Sequence, residues 1–302
     1  MSSRQTLNEL LAPREMLDEL LTTRGIAFDQ NDRIHQAFSR LARYKQRVEA
    51  EPRTEPTGPE MLMLLDVTEI DGFIPFLSEL EDTVLVEKWG RLKSGSADRA
   101  EETASNSDAR NTQFELMLFS DLRRAGMTAA IGNPNPDISL EINNRGYSIQ
   151  CKRIFNANRH SAEQSLRAAA SQLTQELRES PGRLGVIALQ IDRTFTEGQK
   201  ILASDDRASA IASLEGAHRM FTIGHERHLR SKDVIKSPKV AGVILYSSVA
   251  GPIGSTRLVT HMTQLDISDA LQNRAGIDNF AQLRHDTAPY LDTFKAFYND
   301  TT

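Results

Sequence analysis

The chain has a single cysteine, Cys151, a single tryptophan, and aromatic side chains at only 6% of its 302 positions. One cysteine excludes an intramolecular disulfide and fits a reducing compartment, so a cytoplasmic protein is expected. Long apolar runs are also missing. None approaches the roughly 20 residues that span a bilayer, and charges interrupt MSSRQTLNELLAPRE too often for a secretory signal. No membrane partner is expected. Nor is there an excess of positive charge: the formal net charge is −5, which argues against a protein that coats nucleic acid through many phosphate contacts. Walker loops, dinucleotide fingerprints and Gly-x-Ser-x-Gly elbows are absent too.

What is present is a contrast along the chain. Residues 51–87 are rich in Glu and Asp, whereas 145–183 carry Arg145, Lys152, Arg153, Arg159, Arg167, Arg178 and Arg183 against three glutamates. Helical spacing of Leu7, Leu10, Leu11, Leu17 and Leu21, then of Ile34, Phe38, Leu41 and Tyr44, predicts a helical N-terminal region over 1–92. Pro52, Pro56 and Pro59 must break it, and a further interruption is expected near Asp71-Gly72 and Pro75. Residues 93–111, nearly free of large apolar side chains, are expected as a linker or exposed loop.

From 112 to 260 the texture is that of an α/β core. An apolar helix ends at Gly126, and MTAAIG reads as a short strand. PDISLEI and YSIQCKRI are strands joined by a turn at Asn143-Asn144-Arg145-Gly146. A helix is expected over 161–179, a buried strand at RLGVIALQID, a polar helix at about 205–230, and a strand VAGVILYSSV paired with TRLVTHMTQL. Residues 261–302 are expected as a C-terminal helical tail. The layout is α+β, a mixed sheet flanked by helices.

The chemistry gathers at residues 136–153. Asp137 opens one strand. Gln150 and Lys152 lie two apart on the next, so their side chains share a face. An acid, an amide oxygen and an amine at one sheet edge suit phosphodiester hydrolysis: oxygen ligands hold a hard cation, and a lysine orients or helps deprotonate water. Taken singly, Asp137 reads as a turn-forming acid and Lys152 as a solvated strand residue; the grouping raises them above that. Cys151 reads as a small buried residue. His218, His225 and His228 lack zinc-site spacing, and HRMFTIGHERHLRSK is expected to be a solvated or nucleic-acid-facing basic helix. Trp89 is expected to anchor a core.

Pro136-Asp137, then Ile149-Gln150-Cys151-Lys152-Arg153, with Phe114-Glu115 on the preceding helix, resemble the PD-(D/E)XK nuclease superfamily over roughly residues 112–192. The QxK form is similar to that of Mrr-like restriction enzymes and phage-defence effector nucleases. The resemblance implies a restriction-endonuclease-like fold and an Mg²⁺- or Mn²⁺-dependent endonuclease acting on nucleic acid, DNA rather than RNA, in restriction or antiviral defence. It implies catalytic roles for Glu115, Asp137, Gln150 and Lys152, and a metal held by Glu115, Asp137, Gln150 and the Cys151 carbonyl. Arg153, Arg167 and Gln172 are the expected nucleic-acid contacts. Gln150 departs from the usual Asp or Glu and removes one negative charge from the ligand set. That leaves a second class open, a catalytically inactive nucleic-acid-binding or assembly module. A third is a protein whose N-terminal helices bind a partner or a second copy.

Overall fold

The computed structural model describes residues 7–51, 55–102, 107–132, 135–154, 159–195, 202–229, 235, 237–252, 259–266 and 277–299. Among them are eight helices and one six-stranded sheet. Helices α1 (Leu7–Thr23), α2 (Arg33–Ala50), α3 (Gly58–Leu77) and α4 (Asp82–Leu92) precede α5 (Asp108–Arg124). There follow β1 (Thr128–Ile131), β2 (Ile138–Ile142), β3 (Arg145–Arg153), α6 (Arg159–Glu179), β4 (Leu184–Gln190), α7 (Arg207–Leu229), β5 (Val240–Pro252), β6 (Val259–Asp266) and α8 (Ile277–Asn299).

The helix ends follow local chemistry. Asp32 caps α2, its carboxylate accepting from the His35 N–H at 3.0 Å. Helix α3 opens with Pro59 in its first turn and a Thr57–Glu60 capping box. Gly126, at φ +84°, closes α5: its N–H donates to the Arg123 carbonyl at 2.9 Å and that of Met127 to the Leu122 carbonyl at 3.0 Å. Pro75 does not interrupt α3 as expected. The helix runs on through it to Leu77, held by Ile70, Phe73, Ile74 and Leu77, which are buried on either side of it.

The sheet runs β1-β2-β3-β4-β5-β6. Its middle, β3-β4-β5, is parallel, and β1-β2-β3 and β5-β6 are antiparallel. Parallel neighbours need crossovers, here α6 and α7. Two crossovers stepping in one direction with one hand place both helices on one face. Ile187, Leu189, Val243 and Leu245 pack there with Leu166, Leu173 and Phe221. The alternate residues Val186, Ala188, Ile244 and Tyr246 join the larger core on the opposite face, which extends from Leu10 in α1 to Leu283 in α8.

Helix α5 decides how the N-terminal region sits. Nearly all of it from Ala109 to Leu122 is buried, and such a helix needs cover on every side. The sheet covers one side, and α3 and α4 pack on α5 as well. Helices α1 to α4 therefore form a layer sharing the sheet's core. The stretch 93–111 also departs from its expected exposure: Arg99, Ser107, Ala109 and Arg110 are buried, because Arg99 and Arg110 pair with acids of α3. Strand β6 carries the sheet past 260 by pairing with β5. Helix α8 is tied to the hairpin through Asp286, which accepts from the Tyr147 hydroxyl at 2.6 Å. No helix among the described residues is long and apolar enough to cross a membrane.

Candidate active site

The hairpin turn fixes everything that follows. Asn143 and Asn144 both have positive φ, 51° and 61°, so the turn is the two-residue type that matches strand twist, and Arg145 and Gly146 belong to β3. That turn pairs Ile142 with Arg145 and Ile138 with Ile149. One step further along the register, Asp137 comes opposite Gln150. Gly132 allows the approach from β1: a Cβ there would stand 1.8 Å from the Pro136 carbonyl oxygen.

Because β2 begins only at Ile138, β3 has no β2 partner beyond Ile149. The result is a notch between strand ends in the interior of the sheet, rather than the sheet edge anticipated from the sequence. Asp137 fills it. Its Oδ2 accepts from the Cys151 N–H at 2.7 Å and from the Gln150 amide. Since an ionised carboxylate only accepts, Gln150 must present its NH₂ to Asp137. The N–H and C=O of one strand residue lie on the same side, so the Cys151 carbonyl is directed toward the notch as well.

The site draws on both faces of the sheet. Ile149 and Cys151 lie in the core shared with α5, so Gln150 and Lys152 take the opposite face, that of α6. Glu115, by contrast, arrives from α5. Its Oε2 accepts a 2.8 Å bond from Nζ of Lys88, on α4, and both side chains are buried. The sequence reading missed Lys88. A signal existed: Lys88 sits on the inward stripe of Leu85, Trp89 and Leu92, where an apolar residue belongs. Trp89 itself is buried, as expected of an anchor.

Burial, and then the nearby Glu115 carboxylate, push the Asp137 acid up to about 6, against the Cys151 N–H, Lys152 and Lys88. Lys152 is half-buried and close enough to act on both Asp137 and Cys151. Burial, reinforced by Asp137 and Glu115, raises the Cys151 thiol well above its usual range, so the thiol stays protonated and packs.

The other expected residues are placed differently. Arg153 is buried; its guanidinium donates to Glu102 and, at 2.8 Å, to Gln190. Arg193 joins the same carboxylate at 2.9 Å, so a phosphate contact by Arg153 would require Glu102 to give way. Arg167 and Gln172 lie on the exposed side of α6, and Arg167 pairs with Glu163 at 2.7 Å. The basic face expected on α7 is not formed by its histidines. His218 and His225 are buried, His218 within 2.8 Å of the Ser247 hydroxyl, and burial lowers His218 to about 4. Met220 and Ile223 are exposed instead. The His228 side chain lies outside the described residues.

No family model, curated protein or solved structure matches the chain. The site is therefore judged on its own donors. Among the described residues no group of three His, Cys, Asp or Glu side chains forms a metal-binding cluster. Two carboxylates, one amide and one main-chain carbonyl remain, all oxygen donors of the kind a hard cation takes. They fit Mg²⁺ or Mn²⁺ provided the Gln150 amide turns its oxygen inward. Charge is the weak point: Glu115 and Asp137 are balanced by Lys88 and Lys152.

A pH dependence follows from Asp137. Its folded pKa is raised, so the fold disfavours the ionised form, and a proton or a cation relieves that penalty. Below about 6 the proton wins. Cation affinity measured calorimetrically is expected to fall as pH drops through this value, with proton release on binding. Affinity unchanged between about pH 5 and 7 would exclude Asp137 as a ligand.

Proposed function

We propose that this chain is a metal-dependent nuclease that hydrolyses nucleic-acid phosphodiesters, with a restriction-endonuclease-like core. The observation that carries the reading is the notch at Asp137, where Gln150, the Cys151 main chain, Lys152 and Glu115 meet from three elements. Glu115, Asp137, Gln150 and the Cys151 carbonyl would hold the cation, which when bound would stabilise the charge growing on the phosphate. Lys152, as an ammonium, would donate to the attacking water and orient it, and would offset charge on the phosphate. DNA is preferred over RNA on the resemblance of the QxK motif to restriction enzymes, which also suggests a defence role. The test is incubation of the pure protein with plasmid DNA and Mg²⁺ or Mn²⁺. Nicking or linearisation that chelation stops supports the reading; an intact plasmid and intact RNA under both cations oppose it.

One observation favours a second reading. With Gln150 donating to Asp137 and four charges cancelling, the site is stable as a closed polar cluster, as an inactive binding module would keep it. Gln150→Glu separates the two. A glutamate cannot donate to ionised Asp137, so the metal-free variant is expected to be less stable, and added negative charge should tighten Mg²⁺ binding. A nuclease site thus shows a larger thermal stabilisation by Mg²⁺ in Gln150→Glu than in the wild type. In an inactive module the variant melts lower and Mg²⁺ restores nothing.

A further inference from the structure

A lysine whose ammonium is buried against a single carboxylate is an uneconomical way to join two helices. Desolvation of both ions offsets most of their attraction, and an apolar pair of the same volume holds a core as well. Lys88 is nevertheless buried on the apolar stripe of α4, with Nζ 2.8 Å from Glu115 Oε2. The reason lies one step further in. Glu115 is buried on α5 within electrostatic reach of Asp137, itself buried, and two such carboxylates repel one another unless positive charge stands near them. Lys152 supplies one such charge from β3. Lys88 supplies the other from the N-terminal helical layer, outside the hairpin and α5 that carry the remaining groups.

A divalent cation at Glu115 and Asp137 would do the same work with twice the charge. It cannot share the carboxylate oxygen with an ammonium at hydrogen-bond distance, since the two positive groups repel strongly where little water screens them. We infer that Lys88 is a resident counter-ion of this site: it holds the Glu115 carboxylate in place while the site is metal-free, and a divalent cation binds in competition with it. The inference rests on the nuclease reading and adds its regulation. Cation loading is coupled to the position of α4, so the N-terminal layer helps set how readily the site fills. Lys88 is a positioning residue here and touches neither water nor phosphate.

Titration of the full-length protein with MnCl₂ and with MgCl₂, without nucleic acid, tests this. Lys88→Met keeps the length of the side chain and removes its charge. It is expected to bind either cation roughly tenfold or more tightly than the wild type, while Lys88→Arg binds like the wild type. Asp137→Ala should remove binding from every background. Because Lys88→Met leaves Glu115 unpaired and can weaken the fold, a second measurement uses the wild type alone. Amine-selective acetylation read by peptide mass spectrometry should leave Lys88 unmodified without cation, and modify it several-fold more at saturating Mg²⁺ as the ammonium is released. Equal affinity in Lys88→Met and wild type, both lost with Asp137→Ala, would keep the metal site and overturn the counter-ion. So would a Lys88 that stays protected in the cation-bound wild type. Cation binding absent from wild type and Lys88→Met alike would overturn the nuclease reading together with this one.

Discussion

Alanine at Lys152 is expected to cut cleavage by a factor of at least about 10² while leaving most nucleic-acid affinity in place. In the proposed mechanism the half-buried ammonium orients water, and its loss leaves the bonds from Gln150 and Cys151 to Asp137 untouched. The fold should therefore survive. One lost cation changes the salt slope of nucleic-acid binding by only about one unit, so filter-binding curves at several salt concentrations should barely move. Asp137→Ala fails by a separate route. It strips the Cys151 N–H and the Gln150 amide of their acceptor and removes the carboxylate a cation needs, so cation binding and cleavage disappear together. Asp137→Asn separates the two losses, since its amide oxygen still accepts from Cys151 without the charge. Matched cleavage rates in wild type, Lys152→Ala and Asp137→Asn would mean that the activity arises elsewhere. Equal and large losses of binding would favour the non-catalytic module.

The largest effect on stability is expected at Asp66, in the layer that backs the site. Arg110 donates to both its carboxylate oxygens, at 2.6 and 2.7 Å; Arg99 donates at 2.9 Å; Gln113 donates at 3.0 Å; and Arg33 stands 3.6 Å away. All five side chains are buried. Burial alone would raise the Asp66 acid, but Arg110, Arg99 and Arg33 together hold it well below the usual carboxylate range. The neighbouring Glu69 relieves Arg99, while Gln113 accepts from Arg33 at 2.8 Å. Breaking a buried pair by removing one partner costs about 3–5 kcal/mol. Asp66→Ala removes the carboxylate that three buried arginines share, so a loss within that range is expected, against a total stability of roughly 5–15 kcal/mol. Urea denaturation should show a collapse of the midpoint or an insoluble chain. Because the folded pKa is depressed, this stabilisation is complete above the unfolded value, about 4, and is lost as pH falls below it toward the folded one. A loss of unfolding free energy below about 1 kcal/mol would mean that the arginines are held by their other partners.

Local chemistry made much of the architecture legible. A turn at 143–146 between two alternating runs announces a hairpin; in the structure only Asn143 and Asn144 form it, and that shorter turn places Asp137 opposite Gln150. Period-2 spacing puts Gln150 and Lys152 on one face. Gly126, Thr57 with Glu60, and the apolar β4 run mark a helix stop, a helix start and an interior strand. Each of these signals acts within a few residues, over distances at which backbone geometry is fixed by neighbours.

Where charged side chains go is a different matter, because the partner that makes burial tolerable comes from a distant segment. Arg99 and Arg110, in a stretch that reads as an exposed linker, are drawn inside by Asp66 and Glu69 of α3. Arg153, which reads as a phosphate contact, turns inward to Glu102. His218 reads as part of a basic surface and lies under β5 beside Ser247. Sequence alone therefore determined the order of elements and the shared face of Gln150 and Lys152, while the register came from a turn two residues shorter than the one expected. Only the tertiary structure decided that Glu115 meets them from the other face of the sheet and that Lys88 comes with it. Hydrophobic period and turn chemistry are written into each segment, whereas the electrostatics of a dry site depends on every charge that the packed layers bring within a few ångströms.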